Sequence, residues 1–193
     1  ADGDLPARDS IAGVVITGSH DMVTDSPDWL EPVAGWLRSV VAASVPTLGI
    51  CYGHQLLAHA AGGRVEYSPG ARETGSVMIE LLPDGETDPL LGIMPREFSA
   101  HVNHSQSVVA LPPGAVRLAR SRSEANHAFR IGGNAWGLQF HPEFSEVVML
   151  RYLELEAADL EREGRDVESL AKTVRPSPAG RLLARFGELL RAP

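Results

Sequence analysis

The sequence predicts an α/β domain with a mostly parallel central sheet and flanking helices, to which an antiparallel β-meander is added. Residues 11–63 alternate apolar, β-branched runs with runs of helical periodicity, which is typical of parallel strands joined by helices. Residues 64–141 instead hold short strand-like runs separated by proline and glycine turns. The 193 residues are enough for one domain with a sizeable core.

The first half supplies two strands and two helices, in the order strand 11–19, helix 25–44, strand 45–50 and helix 54–63. Ser26 suits the cap of the first helix and Pro27 its first position, while Pro32 favours a slightly later start of the regular helix. Gly62 and Gly63 are expected to end the second helix. Both strands are apolar along their length and are therefore predicted to be buried.

The second half supplies the meander, with strand-like runs at 64–68, 75–82, 99–111, 115–121, 127–132 and 135–141. A helix is predicted at 145–164, a mixed linker at 165–180 and an amphipathic helix at 181–191. We therefore expect one domain over residues 1–160 and a helical extension over 161–193. The pattern leaves open whether the last helix packs on the domain or on a second subunit.

Composition restricts the function. The net charge of -8 disfavours binding to nucleic acid. No apolar run reaches membrane-spanning length, and no basic stretch precedes an apolar one as in a signal peptide. Together with the single cysteine, this favours a cytoplasmic protein without a membrane partner. The only lysine, Lys172, lies near the C-terminus, which excludes a phosphate-loop or Schiff-base lysine in the body of the domain.

Cys51 lies in "GICYGHQ", between a predicted strand and a predicted helix. This layout predicts a nucleophile elbow, a sharp turn in which Gly49 and Gly53 let strand and helix approach. A thiol at a helix N-terminus is favoured as thiolate, and the next amide, that of Tyr52, points toward an oxyanion. The spacing alone leaves open a second interpretation, a small buried cysteine in the core.

A thiol nucleophile needs a base and a group that orients the base. His141 ends the last strand-like run, and Glu143 lies two residues on, where an extended backbone puts both side chains on one face. The alternative is a surface histidine beside a helix-capping glutamate. Combined with the elbow, the pair favours a Cys-His-Glu catalytic triad.

Two further strand ends carry polar residues. Thr17-Gly18-Ser19 suits a loop whose glycine amide faces a developing negative charge, although a plain turn explains it equally well. "VNHSQSV" (102–108) suits the binding of a zwitterionic substrate. His101 and His104 are half of a metal site that no cysteine or acidic residue completes in sequence, so no metal is predicted. The remaining histidines are assigned to the surface or to helix packing: His20, His54, His59 and His127.

The combination of "GICYGHQ" with His141-Pro142-Glu143 about ninety residues later resembles the class I, triad-type glutamine amidotransferases. The closest likeness is to the amidotransferase domain of GMP synthase and to small stand-alone proteins similar to it. The resemblance covers residues 11 to about 155 and implies a flavodoxin-like, doubly wound fold. It also implies that a strand and a helix normally precede "VVITGS", so we expect the given chain to lack them.

The resemblance implies a role for each matching residue. Cys51 would attack the side-chain amide of glutamine and form a γ-glutamyl thioester, with His141 transferring protons and Glu143 orienting His141. The amides of Gly18 and Tyr52 would hold the oxyanion. The amino-acid end of the substrate would be held by Gln55, His104, Ser105 and Gln106. No cofactor is implied.

The sequence leaves three functions open. The first is release of ammonia from glutamine for a synthase partner on another chain, since no phosphate loop follows the domain. The second is hydrolysis of another γ-glutamyl amide or peptide without a partner. The third is a catalytically silent binding domain, which the intact triad disfavours.

Overall fold

The computed structural model describes residues 5–68 and 72–191. The strands are β1 (Val14–Ile16), β2 (Thr47–Ile50), β3 (Arg64–Tyr67), β4 (Glu73–Leu81), β5 (Glu97–His104), β6 (Gln106–Ala110), β7 (Val116–Arg120), β8 (Ala128–Ile131) and β9 (Ala135–Leu138). The helices are α1 (Leu30–Ala42), α2 (Tyr52–Ala60), α3 (Pro83–Glu86), α4 (Glu146–Leu155), α5 (Ala157–Arg162), α6 (Val167–Ala171) and α7 (Arg181–Leu189). None of these helices is both long and apolar enough to cross a bilayer.

The predicted α/β class is confirmed. Seven strands form one sheet in the order β1-β2-β9-β8-β7-β4-β5, and β3 pairs with β6 in a separate antiparallel ribbon. Parallel pairing joins β1 to β2 and β2 to β9, the strands that lead into the site. The other pairings of this sheet are antiparallel, because the meander continues the central sheet instead of forming a layer of its own.

The two faces of the sheet bury different residues. Leu48 and Ile50 of β2 face one apolar cluster together with Trp136 and Leu138 of β9. The opposite face packs against α1 and α2, which contribute leucines and alanines to a second cluster. Because side chains alternate between the two faces along β2, Gly49 faces α2, where strand and helix are too close to leave room for a Cβ.

The N-terminal part of α1 differs from the prediction. The helix begins at Leu30, and the preceding Trp29 makes no side-chain cap hydrogen bond. Ser26 does not cap it, because this residue ends a short 3-10 turn with a left-handed φ of 49°. Pro32 falls in the first turn of the observed helix, where its missing N–H removes no helical hydrogen bond.

Three predicted segments are divided differently in the structure. The run 99–111 is two strands, since Ser105 forms the turn between β5 and β6. The helix predicted at 145–164 breaks at Glu156 into α4 and α5. The linker predicted at 165–180 contains the short helix α6.

The last helix packs on the domain itself. Leu182 and Phe186 of α7 are buried in the cluster that also holds Trp136 and Leu138. The ring of Phe186 meets Trp136 edge-on at 6.2 Å between centroids. This answers the question that the amphipathic pattern left open. The boundary predicted at residue 160 falls inside α5.

Candidate active site

Cys51 stands at the turn from β2 into α2, with a φ of 52° and a ψ of -102°. A non-glycine residue rarely adopts this backbone conformation, and such strain persists only where the surroundings hold it. Here the hold comes from the sheet, because the Cys51 amide donates to the Leu138 carbonyl of β9 at 2.8 Å. The turn raises the thiol above the carboxyl ends of β2 and β9.

The neighbouring backbone is so close to Gly49 and Gly53 that neither position has room for a side chain. A Cβ on Gly49 would lie 2.6 Å from the carbonyl carbon of Gly53, and a Cβ on Gly53 would lie 2.8 Å from that of Ile16. Both values are below the closest approach that carbon atoms make in proteins. Only glycine lets β1, β2 and α2 meet at this spacing, so the G-x-C-x-G pattern has a direct steric cause.

His141 follows β9 and reaches the thiol from the neighbouring strand. Its backbone amide donates to the His101 carbonyl of β5 at 2.8 Å, which fixes the chain beyond the end of β9. Its ring Nδ1 lies 2.7 Å from Glu143 Oε1. The ring of Phe144 stacks on the imidazole at 4.1 Å between centroids. The imidazole is therefore held on three sides, and its side chain is 7% exposed.

The charge on His141 follows from these contacts. Burial acts against the imidazolium, yet hydrogen bonds to Cys51 and Glu143 outweigh it and raise the pKa of His141 to about 9. The ring is thus protonated at neutral pH beside the sulfur. A proton can pass between sulfur and ring, and the Glu143 carboxylate stabilises the charged ring.

The two predicted oxyanion residues lie beside this pair. A Cβ on Gly18 would be 3.1 Å from His141 Cε1 and 3.7 Å from Cys51 Cβ, so its backbone lies against both. Tyr52 is the first residue of α2, a position whose amide has no acceptor within a helix. Burial, and then the charge of Asp21, raises the pKa of the Tyr52 phenol to about 12, so it stays neutral.

A polar cleft of about 220 Å³ opens on one side of Cys51. It is lined by all four predicted substrate residues, Gln55, His104, Ser105 and Gln106. Gln55 Nε2 donates to the Gln106 carbonyl at 2.8 Å and to Gln139 Oε1 at 3.1 Å. Gln55 and His104 are thus joined through the Gln106 carbonyl in one wall of the cleft, and the cleft is the size of a small polar molecule.

A second cleft of about 320 Å³ opens on the His141 side of the thiol. Phe144 and Tyr152 line it, and their rings stack at 4.9 Å between centroids. Both clefts share Cys51 and Asn103, whose carbonyl lies 3.7 Å from the sulfur. The thiol thus separates a polar side from an aromatic side.

Sequence reasoning missed an ionic group at the mouth of the polar cleft. Arg72 pairs with Glu156, at the break between α4 and α5, and donates to Asn103 Oδ1 at 2.7 Å. Asn103 Nδ2 donates in turn to Glu156 Oε1 at 3.1 Å. No sequence spacing links these residues, since only the folded chain brings the α4–α5 break to β5.

Three histidines outside the triad make contacts that the sequence did not predict. His127, assigned to packing, is buried and lies 3.0 Å from Glu73 Oε2. His104 faces the same oxygen at 3.1 Å. His101 does not join His104 in half of a metal site, because its Nδ1 contacts Ser76 Oγ at 3.1 Å. The cluster formed by Glu73, His104 and His127 was not foreseen.

Comparison with known proteins agrees with this geometry. Residues 4–157 match the family model of class-I glutamine amidotransferases. A GMP synthase (glutamine-hydrolyzing) of Thermomicrobium roseum is 39% identical over 132 residues, covering 68% of this chain and 23% of the relative. One of Aeropyrum pernix is 36% identical, covering 68% and 24%. The chain thus spans about a quarter of the length of these relatives.

Solved structures show the same fold. A glutamine amidotransferase of Thermotoga maritima superposes with a TM-score of 0.72 at 25% identity, over 91% of this chain and 77% of that one. A glutamine amidotransferase of Methylobacillus flagellatus gives 0.72 at 30% identity, over 97% and 75%. Because the family model covers more than half of the sequence, the chain belongs to the class-I glutamine amidotransferase family.

Proposed function

We propose that this protein hydrolyses the side-chain amide of glutamine to glutamate and ammonia, with Cys51 as the nucleophile. The observation that carries the proposal is the placement of Cys51 and His141 side by side at the meeting point of two clefts, with His141 Nδ1 2.7 Å from Glu143 Oε1. Membership of the amidotransferase family supports amide hydrolysis in general.

The chemistry proceeds in two halves. The Cys51 thiolate attacks the δ-carbon of glutamine, and the carbonyl oxygen becomes an oxyanion held by the amides of Gly18 and Tyr52. Collapse breaks the carbon–nitrogen bond, and His141 donates its proton so that ammonia leaves and a γ-glutamyl thioester remains. Water then attacks the thioester while His141 takes a proton, which releases glutamate and restores the thiolate. Glu143 keeps the imidazole oriented throughout.

The polar cleft holds the amino-acid end of the substrate. Its wall of Gln55 and the 104–106 turn offers amide and carbonyl groups to an α-ammonium and an α-carboxylate. The glutamine side chain then extends toward Cys51, so its amide nitrogen emerges on the side of His141. This orientation follows from the need of the leaving nitrogen to reach the acid that protonates it.

Ammonia released here would serve a synthase partner. The relatives named above are GMP synthases that hydrolyse glutamine, and they are about three times as long as this chain. We infer that an acceptor-activating protein receives the ammonia and covers the aromatic cleft.

A second candidate is hydrolysis of larger γ-glutamyl amides without a partner. The cleft of about 320 Å³ on the leaving-group side favours it, because ammonia occupies only a small part of such a space. An aromatic lining of Phe144 and Tyr152 suits an apolar amine.

The deciding experiment incubates the protein with glutamine and with a series of γ-glutamyl alkylamides, and measures glutamate and the released amine. Cys51→Ala is the control. Turnover by the wild type that the variant lacks supports the proposal. A glutamine-like electrophile that adds its mass to Cys51 tests the nucleophile without any partner. If Cys51 reacts no faster than a free thiol and wild type and variant are equally inert, the proposal is wrong.

A further inference from the structure

The carboxylate of Glu73 is largely shielded from solvent, and its side chain is 13% exposed. Its Oε2 lies 3.1 Å from His104 Nε2 and 3.0 Å from His127 Nε2. Its Oε1 accepts hydrogen bonds from Ser121 Oγ at 3.2 Å and from Ser123 Oγ. Burial acts against the charge, but these hydrogen bonds, those from the histidines first, hold the pKa of Glu73 well below its usual range. Glu73 is therefore an anion.

The hydrogen-bond pattern assigns the protons of His104. Its Nδ1 lies 3.0 Å from the Gln106 carbonyl, which only accepts, so Nδ1 carries a hydrogen. Its Nε2 faces the Glu73 carboxylate, which also only accepts. Both ring nitrogens must therefore bear protons, and His104 is an imidazolium unless another cation lies between ring and carboxylate.

His127 differs from His104 in this respect. Its Nε2 donates to Glu73, while its buried Nδ1 has no partner among the described residues. One proton satisfies this ring, so His127 is neutral and the cluster holds one positive and one negative charge. A buried pair that is balanced in this way costs far less than an isolated charge.

One carbonyl group, that of Gln106, links His104 to the wall of the substrate cleft. The Gln106 carbonyl accepts from His104 Nδ1 and also from Gln55 Nε2 at 2.8 Å. Ser105, the single residue between β5 and β6, lines the cleft beside Cys51. The position of this turn thus depends on a hydrogen bond that a neutral His104 loses whenever its one proton resides on Nε2.

We propose that Glu73 is a positioning residue that holds His104 as an imidazolium and, through the Gln106 carbonyl, fixes the turn that binds the amino-acid end of glutamine. The inference rests on the proposed function for that binding role. Glu73 touches neither substrate nor sulfur, so it acts on affinity and leaves the triad alone.

The first test reads the charge directly. Nitrogen-15 NMR of the histidine rings, assigned with His104→Gln, is expected to show both His104 nitrogens protonated at pH 7.5 in the wild type. Glu73→Gln keeps the shape of the side chain but removes its charge, and the same ring is expected to become neutral. A neutral His104 in the wild type would overturn the proposal, whatever the variant does.

The second test separates binding from chemistry. Glu73→Gln is expected to raise KM for glutamine tenfold or more, with kcat within threefold and with unchanged alkylation of Cys51 by iodoacetamide. Glu80→Gln is the matched control, because Glu80 lies on the same strand and pairs with Arg120 at the surface. Equal losses in kcat and alkylation, or an unchanged KM, would refute the positioning role.

Two outcomes keep this inference apart from the proposed function. If the wild type does not turn glutamine over, calorimetry of glutamine binding to Cys51→Ala, with and without Glu73→Gln, gives the same comparison without chemistry. Equal affinity of the two proteins, including no binding by either, would refute the positioning role. If metal-free protein takes up one equivalent of added Zn²⁺ and Glu73→Gln abolishes that uptake, the cation at Glu73 is a metal and the imidazolium account is wrong.

Discussion

Replacement of Glu143 by glutamine is the perturbation that tests the electrostatics of the candidate triad most directly. The variant keeps an oxygen that accepts from His141 Nδ1, now at 2.7 Å from Glu143 Oε1, and so preserves the orientation of the ring. It removes only the negative charge. The expected effect is therefore a lower pKa of His141 with little change in structure.

The magnitude follows from the contacts of the imidazole. A rise of the His141 pKa from 6.5 to about 9 corresponds to roughly 3 kcal/mol in favour of the protonated ring. Glu143 shares this effect with Cys51, and its side chain is 36% exposed, so solvent screens its part. We assign it about 1.4 kcal/mol, which would move the pKa down toward about 8 and lower kcat/KM about tenfold.

Alkylation of Cys51 by iodoacetamide, followed between pH 5 and 10.5, measures this shift without interference from titration of the substrate. An upper step in the rate is expected at the pH where the His141 imidazolium beside the sulfur loses its proton. In the wild type the upper step, near pH 9, reports loss of the His141 proton. In Glu143→Gln that step is expected near pH 8.

A matched control is Glu146→Gln, which removes an exposed charge three residues along the chain. Its upper step is expected to remain near that of the wild type. If Glu143→Gln leaves the upper step in place, or if both variants move it equally, the carboxylate does not stabilise the imidazolium and the assigned role of Glu143 is wrong.

Three further predictions concern the activity of a variant at Gly18 and the stability of variants at Gly53 and Glu73. Gly18→Ala places a methyl group 3.1 Å from the imidazole of His141. This variant is expected to hydrolyse glutamine at least a hundredfold more slowly, with an unchanged melting temperature. Full activity would refute the oxyanion assignment. Gly53→Ala should lower the free energy of unfolding in urea by about 3 kcal/mol, whereas Gly187→Ala, with open space around it, should not lower it. The pKa of Glu73 lies below its ordinary 4.5 in the folded state, so its contribution to stability is complete above pH 4.5 and is lost on acidification. Below pH 4.5 the urea midpoint of Glu73→Gln should therefore fall less steeply than that of the wild type. Parallel curves for the two proteins would contradict this.

Local features of the sequence predicted the elbow, because its causes lie within a few residues. Gly49 and Gly53 each lie two residues from Cys51, and the strand and helix on either side have clear periodicity. His141 and Glu143 are two residues apart, so their contact also depends on local backbone alone. These parts of the candidate site could be predicted from short stretches of sequence, although neighbouring strands hold them in place in the folded chain.

The Glu73 cluster and the Arg72–Glu156 pair depend on tertiary structure. Glu73 lies opposite His104 because β4 and β5 pair antiparallel in one register, and a shift by one residue would turn its side chain to the other face. The connection between these strands runs from residue 82 to 96, too long for a turn type to specify that register. Glu156 reaches Arg72 only because α4 breaks where it does.

The two clefts make the two candidate functions compete for one space. In the proposed mechanism the nitrogen that leaves the substrate carbonyl lies near His141, so the released amine departs into the aromatic cleft. A synthase that captures ammonia has to cover that cleft, while a larger γ-glutamyl amide has to fill it. Phe144 and Tyr152 line the cleft and stack in series on His141, so they would contact either occupant. The size of amine that the uncovered cleft accepts therefore discriminates between the two functions, and the polar cleft on the other side of Cys51 is common to both.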